Sequence, residues 1–237
     1  MNRRRFLKSG ALWVPPLFAI GRARGQALTL ADPALLSRTI AQSSTPPASY
    51  LIEENCEGTG TPSGWTNSGS QDWDYTTTVL EGSESLYLAA APASYYALSD
   101  ASVIYAYCLF RIGTMVSAAT SLFGFRTSAD SATCLFRIGV DSGDRGKVSV
   151  FVNGADSTVT VAAMATNTLY HCWLKYEKSG TCYAAFSTDG TRPTTGDNFA
   201  SRAGSTTAVG RLTLVSSIAA VMDKIRVDDT EIGDNPA

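Results

Sequence analysis

Apolar and polar residues alternate in short runs over most of the chain, and this period of two predicts β-strands rather than helices. The runs are separated by Gly, Asp, Ser and Pro clusters, and those at 141–146, 153–154, 178–180 and 189–190 have the residues that hairpin turns favour. The predicted strands are 50–56, 85–90, 94–98, 102–112, 120–127, 133–140, 147–153, 157–163, 168–177, 181–187, 208–215 and 218–228.

The region 50–237 lacks the amphipathic helical pattern that a parallel sheet needs for its crossover connections. We therefore expect one all-β, antiparallel domain over 50–237, with about a dozen strands, which is typical of a two-sheet sandwich. This pattern excludes the Rossmann and α/β-barrel classes of enzyme.

The segment 28–49 has a different character. Asp32 is a candidate helix N-cap and Pro33 suits the first helical position, so a short helix is predicted there. The Ser/Thr/Pro-rich stretch 43–49 follows, and its composition predicts a linker before the β domain.

Residues 1–27 form a basic and then uncharged segment that predicts an export signal. Arg3-Arg4 followed by Phe6, Leu7 and Lys8 resembles the twin-arginine signal family, which implies export of a folded chain. A general secretory signal is the first alternative, and a basic tail or a retained anchor is the second. We expect a secreted, periplasmic or cell-surface protein of a bacterium.

Charge restricts the partners of the remaining chain. Without residues 1–27 it carries 13 basic and 21 acidic residues, a net charge of −8, which excludes a nucleic-acid-binding function. No segment after the signal is long and apolar enough for a transmembrane helix, so the processed chain is not expected to span a membrane.

The chain has five cysteines, at positions 56, 108, 134, 172 and 182. An odd number leaves at least one thiol without a partner in the chain, and most of the five are expected to be buried free thiols. With an even-numbered turn between them, Cys172 and Cys182 would point to opposite faces of their sheet.

A six-residue repeat, Cys-Leu-Phe-Arg-Ile-Gly, occurs at 108–113 and again at 134–139. In a strand both copies place Cys, Phe and Ile on one face and Leu and Arg on the other. We interpret them as two equivalent strands of one sheet, separated by the strand 120–127.

Several short motifs share one resemblance. They are Glu54–Gly58, Pro62-Ser-Gly64-Trp65, Leu80–Leu88 with its Gly-x-x-Ser-Leu step, the hairpin 169–190 and the closing Asp223-Lys-Ile225-Arg-Val227. Together they are similar to concanavalin A-like (LamG-type) jelly-roll domains over about residues 50–229, with Cys56 where that family has an aromatic residue. The resemblance implies an antiparallel two-sheet jelly-roll sandwich whose first and last strands are adjacent.

Alternation along that last strand places Val221, Asp223, Ile225 and Val227 on one face. A carboxylate among apolar side chains needs a partner. Two alternatives are open: Asp223 shares a structural calcium ion with Glu54 or Glu57, or it accepts hydrogen bonds from the backbone or an arginine.

Catalytic signatures are missing from the sequence. The Glu-x-Asp-x-x-Glu string of jelly-roll glucanases does not occur, and neither does a Gly-x-Ser-x-Gly or Cys-x-x-Cys motif. His171 is the single histidine, so a zinc site of several histidines is excluded. We predict no catalytic residues.

Two surfaces are candidates for ligand binding. Trp73 and Tyr75, flanked by Asp72 and Asp74, are expected to be exposed and able to stack on sugar rings. A row of arginines on neighbouring strands would suit carboxylated glycans, although ordinary pairing with acidic neighbours is the alternative. These arginines are Arg111, Arg126 and Arg137.

These observations favour a secreted, non-catalytic module that binds carbohydrate or another surface polymer. One alternative is a self-assembling appendage, sheath or coat subunit, which would form homo-oligomers. The other is a polysaccharide lyase or glycoside hydrolase, which would need His171, a tyrosine and an arginine in one groove. A structural calcium ion is the single cofactor under consideration.

Overall fold

The computed structural model describes residues 50–67, 71–88, 94–115, 118–139, 143–215, 218–234 and 236. Throughout this part of the chain the regular structure is β, which confirms the all-β antiparallel sandwich. None of the described residues forms a helix with the length and apolar character needed to cross a membrane. The predicted signal over 1–27 and the helix and linker over 28–49 lie outside the described residues.

One sheet has eight strands and carries the chain's first and last strands. β1 (Ile52–Glu54) pairs antiparallel with β15 (Ala220–Asp228), which confirms the predicted adjacency. The order from edge to edge is β13 (Phe199–Ala203), β12 (Thr181–Ser187), β11 (Leu169–Glu177), β6 (Val103–Ile112), β15, β4 (Ser85–Leu88) and β3 (Asp72–Tyr75).

The second sheet has seven strands and packs against the first. Its order is β10 (Ala155–Asp156), β9 (Val148–Val152), β8 (Ala132–Ile138), β7 (Thr120–Arg126), β14 (Val209–Leu214), β5 (Ser94–Ala101) and β2 (Trp65–Asn67). The inner faces of both sheets contribute to one apolar core. Phe123 and Phe136 stack in this core with ring centroids 5.1 Å apart.

The two copies of the repeat lie in different sheets. The first copy is in β6 of the eight-stranded sheet and the second is in β8 of the seven-stranded sheet, so the prediction of one shared sheet was wrong. The prediction that the Cys, Phe and Ile side chains of both copies share one face was right, because Phe110 and Phe136 are both fully buried in the core between the sheets. The motif therefore encodes the same inward pattern on both sides of the sandwich.

Strand predictions failed where a segment is short or rich in polar residues. The segment 157–163 is not a strand, although Ser157 and Thr160 donate backbone hydrogen bonds to β9. Conversely, the short strands β2 and β3 and the edge strand β13 were not predicted. β13 consists of Phe, Ala, Ser and Arg, and its order comes from pairing with β12 rather than from its own alternation.

A β-bulge in β15 corrects the predicted position of Asp223. The register with β6 shifts between Asp223 and Arg226, and Lys224 has a positive φ of 45°. Ile225 and Val227 therefore face the core, whereas Asp223 belongs to the outer face. The extra residue reversed the alternation on which the prediction relied.

The prediction that the cysteines are buried was right, and the even-numbered turn that would point Cys172 and Cys182 in opposite directions does not occur, because three residues separate β11 from β12. All five cysteines are free and buried. Cys172 pairs with Phe186 in the β11–β12 hairpin, so even positions face even positions. Cys172 and Cys182 therefore point to the same face, into the core between the sheets.

Candidate binding site

The outer face of the eight-stranded sheet has two rows of side chains that run across neighbouring strands. In one row Arg226, Tyr107 and Trp173 are register partners on β15, β6 and β11. In the adjacent row Asp223 pairs with Leu109, which in turn pairs with His171. The sheet thus gathers charged and aromatic residues that are far apart in the sequence.

A cleft of about 350 Å³ opens on this face where the first and last strands meet. Its lining combines carboxylate, amide, ammonium and guanidinium groups. The lining residues are Glu53, Asn55, Glu57, Glu81, Gly82, Asp223, Lys224 and Arg226.

Arg226 forms the floor of the cleft and is 1% exposed. Its Nη2 donates to the side-chain oxygen of Asn55 at 2.6 Å and lies 3.4 Å from a Glu53 carboxylate oxygen. Its Nη1 donates to the backbone carbonyl of Glu54 at 3.2 Å. The guanidinium also lies over the ring of Tyr50, 5.6 Å from the centroid. A buried charge paired in this way is a fixed part of the structure.

Asp223 is buried beneath the loop that forms one wall of the cleft. Its Oδ2 accepts hydrogen bonds from Ser85 Oγ at 2.9 Å and from the backbone N–H of Glu81 at 3.3 Å. Its Oδ1 accepts the Lys224 N–H at 2.7 Å. Burial outweighs these donors and raises the pKa of Asp223 to about 6.

The wall loop at 81–84 is also held from its other side. Glu57 accepts hydrogen bonds from the N–H of Ser83 at 2.8 Å and from its hydroxyl at 2.6 Å, and these contacts lower the pKa of Glu57. Gly82 has a φ of 69°, and a Cβ at this position would collide with the Glu57 carboxylate. Lys224 Nζ pairs with Glu81 at 2.6 Å, which completes the wall.

The three candidate calcium ligands are each engaged by protein donors. Glu54 accepts the N–H of Cys56 at 2.8 Å, while Glu57 and Asp223 support the loop as described. No cluster of three His, Cys, Asp or Glu side chains suited to a metal ion occurs among the described residues. Asp223 accepts hydrogen bonds from the backbone and from Ser85, and a calcium ion at these carboxylates stays a prediction.

The two aromatic candidates differ from each other. Trp73 was expected to be exposed, but it is 2% exposed and packs in the core against Trp65, with ring centroids 5.1 Å apart. Trp65 is buried in the core as well. Tyr75 is half-buried and stacks on Tyr87 at 4.7 Å. Trp73 therefore offers no surface for stacking.

The predicted arginine row does not exist. Arg111 lies on β6 of the eight-stranded sheet, whereas Arg126 and Arg137 lie on β7 and β8 of the other sheet. Arg137 pairs with Asp156 at 2.8 Å and Arg126 with Asp130 at 3.7 Å, so the alternative of ordinary ion pairs describes them. The Nη2 of Arg111 donates to the Asn167 side chain at 3.1 Å.

His171 belongs to an aromatic cluster next to the cleft. Its Nδ1 lies 2.8 Å from the hydroxyl of Tyr107, and its ring is nearly parallel to that of Trp173. Desolvation lowers the pKa of His171, so the ring is neutral at pH 7. Trp173 Nε1 donates to the carbonyl of Gly233, and Ile232 is buried against the same cluster. The segment before the C-terminus thus covers these rings.

Sequence reasoning missed most of the cleft. Glu53, Asn55, Glu81, Lys224 and Arg226 were not candidates. One signal was available: polar residues occupy both the first and the last predicted strand, and these strands were expected to be adjacent. The bulge that turns Arg226 toward β1 could not be deduced from alternation.

Comparisons with known proteins give structural likeness only. No family model and no curated protein matches the chain. Among solved structures, the cellulose induced protein Cip1 shares 14% identity over 77% of this chain and 99% of its own, with a TM-score of 0.51. The structure HCR/D-Sa-GBL1/C shares 6% identity with this chain at a TM-score of 0.55. The match covers 79% of this chain and 50% of HCR/D-Sa-GBL1/C.

A carbohydrate binding module, CBM66 from Bacillus subtilis, matches with 16% identity over 70% of this chain and 95% of its own, at a TM-score of 0.46. Identities as low as those of Cip1 and HCR/D-Sa-GBL1/C establish a shared fold and not a shared activity. The described part of the chain is an antiparallel β-sandwich of jelly-roll type.

Proposed function

We propose that this protein is an exported, non-catalytic module that binds carbohydrate in the cleft between its first and last strands. The observation that carries the proposal is the cleft itself, in which hydrogen-bonding groups of several kinds are held in place by ion pairs and hydrogen bonds. Ligand sites are concave and use a small number of precisely placed polar groups of this kind to fix the orientation of the ligand.

The polar groups of the cleft suit saccharide hydroxyls. Glu53 and Asn55 are exposed, yet both are oriented by Arg226, and Glu81 is oriented by Lys224. A hydroxyl both donates and accepts a hydrogen bond, so it can bridge a carboxylate and an ammonium group. Groups that are already held in place lose little conformational entropy when a ligand binds.

The charges of the cleft favour a neutral ligand. Lys224 and Arg226 are each paired with a carboxylate inside the cleft. A carboxylated glycan would have to compete with Glu53 and Glu81 for these cations, at a cost in desolvation and repulsion. We therefore expect neutral sugar units to bind best.

Burial argues against a catalytic role for Asp223. Asp223 has the raised pKa of a general acid, but it is 1% exposed and its two oxygens are occupied by three donors. A general acid must reach the oxygen that it protonates. Asp223 instead supports the wall loop.

The direct test is a printed glycan array probed with the full-length chain, with and without calcium. We expect binding to one class of neutral saccharide, unchanged when calcium is removed, because the carboxylates are engaged by protein donors. Absence of binding to any saccharide, together with assembly that grows with protein concentration, would instead support a structural subunit.

A further inference from the structure

Four of the five cysteines form two neighbouring pairs in the core. Cys108 on β6 and Cys172 on β11 are direct register partners, and both side chains face the core between the sheets. Directly opposed residues of antiparallel strands have Cα atoms about 4.5 to 5.5 Å apart. A disulfide spans roughly 4.4 to 6.8 Å between Cα atoms. The backbone is thus already in position for a bond between them.

The second pair connects the two sheets. Cys134 lies on β8 of the seven-stranded sheet and Cys182 on β12 of the eight-stranded sheet, and both are buried in the core between the sheets, where each shifts the pKa of the other. Both sulfur atoms lie against β11, Cys134 Sγ at 3.5 Å from the Lys175 carbonyl and Cys182 Sγ at 3.8 Å from the Glu177 carbonyl. A bond between these sulfur atoms would fasten one sheet to the other.

Cys56 is the remaining thiol. It follows β1 with a φ of 56° and is 1% exposed. It is near enough to Cys108 to raise the pKa of that thiol, but Cys172 has the larger effect. Strand register ranks Cys172 first, because it lies directly opposite Cys108 on a neighbouring strand, whereas Cys56 follows β1, which pairs with β15 and not with β6.

We propose that Cys108–Cys172 and Cys134–Cys182 are disulfide-forming pairs and that Cys56 stays a thiol. The oxidant is a disulfide, either oxidised glutathione or the active-site disulfide of a thiol–disulfide oxidoreductase. One cysteine thiolate attacks this disulfide, expels one thiolate of the oxidant and forms a mixed disulfide. The second cysteine thiolate then attacks the sulfur of the first cysteine and expels the other thiolate of the oxidant. Each pair loses two protons and two electrons, and the oxidant leaves as two thiols.

Burial determines when the bonds can form. The four thiols are at most 1% exposed in the folded chain, and burial raises the pKa of Cys108 and of Cys134. Buried, protonated thiols react slowly with a disulfide. Oxidation therefore accompanies folding, so a chain that folds before export keeps five thiols and one that folds in an oxidising compartment acquires two bonds.

The test compares two refolding conditions for the full-length chain. Denatured, reduced protein is refolded with or without a mixture of oxidised and reduced glutathione, and free thiols are then alkylated in denaturant. No Lys or Arg lies between Cys56 and Cys108, so digestion uses trypsin together with a Glu-specific protease. Mass spectrometry identifies the linked peptides.

With glutathione we expect alkylation of Cys56 alone, peptides linked through the two proposed pairs, and a Tm several degrees above that of the chain refolded without oxidant. Cys56→Ala should keep both links, and Cys172→Ala should keep only Cys134–Cys182. Five alkylated thiols, a link to Cys56, or a lowered Tm would overturn the proposal. If refolding fails, the same mapping on chain secreted unfolded into an oxidising periplasm gives the same discrimination.

Discussion

Arg226 on the last strand donates a 2.6 Å hydrogen bond to the side-chain oxygen of Asn55, just beyond the first strand. This contact joins the two ends of the domain at the floor of the cleft, and it depends on the bulge at Lys224 that turns Arg226 to the outer face. Arg226 thus links the first and last strands and also orients Asn55, a proposed ligand-binding residue.

Arg226→Lys is expected to lower the free energy of unfolding by about 1–3 kcal/mol. A lysine has no planar fork, so it cannot reach the Asn55 side chain and the Glu54 carbonyl together. Urea unfolding followed by tryptophan fluorescence gives the value. Arg145→Lys, at an exposed position, is the matched control and should leave stability unchanged. Equal stability of both variants would show that the floor of the cleft contributes nothing.

Asp223 should make the stability of the protein depend on pH. Its pKa is raised from 3.8 to about 6 in the folded chain, so the folded state binds the extra proton. The stabilisation that protonated Asp223 contributes is therefore fully present below its pKa in the unfolded chain, and it is lost as the pH rises through about 6. The difference between the pKa values of Asp223 in the folded and unfolded chain corresponds to about 3 kcal/mol in the free energy of unfolding.

The measurement is the free energy of unfolding of the wild-type chain and of Asp223→Asn, from about pH 4 to about pH 7. Asparagine does not ionise, so the wild type should lose stability relative to the variant as the pH rises. Parallel profiles would mean that Asp223 does not have the raised pKa on which this prediction rests.

Gly124→Ala is expected to disrupt the seven-stranded sheet. A Cβ at Gly124 on β7 would lie 2.6 Å from the Cα of Leu135 on β8, and backbone atoms cannot move aside cheaply. Overpacking of this kind costs about 1–3 kcal/mol or more. Gly58→Ala, with nothing within 4 Å of its Cβ, is the control and should keep the wild-type Tm. Thermal unfolding that does not separate the two variants would contradict the packing of β7 against β8.

Most strands of the sandwich could be predicted, because apolar and polar residues alternate along them with a period of two. The alternation in β6 and β8 places Phe110 and Phe136 inward from sequence alone, whatever the sheet assignment. The sheet to which each strand belongs could not be predicted in this way, since the two copies of the repeat have identical sequences but pair with different strands. Short polar strands such as β13 also depend on their neighbours.

The site was harder to predict because it depends on one inserted residue. Strict alternation groups Asp223 with Ile225, and only the bulge at Lys224 separates them. Trp73 shows a second limit: flanking aspartates suggested exposure, but a strand can bury one residue and expose both of its neighbours. The cleft therefore had to be found in three dimensions.

Carbohydrate binding in the cleft can be tested by comparing three forms of the full-length chain on one glycan array: the wild type, Glu53→Gln combined with Asn55→Ala, and the distant exposed control Lys178→Ala. The double variant removes or neutralises two groups of the cleft, which should weaken binding by roughly tenfold or more. We predict that the wild type and Lys178→Ala bind the same neutral saccharide. The double variant, which still folds by circular dichroism but has a lower Tm because Arg226 loses two partners, should lose this binding. Equal binding by all three forms would place the ligand elsewhere on the sandwich, and no binding by the wild type would contradict the proposed function.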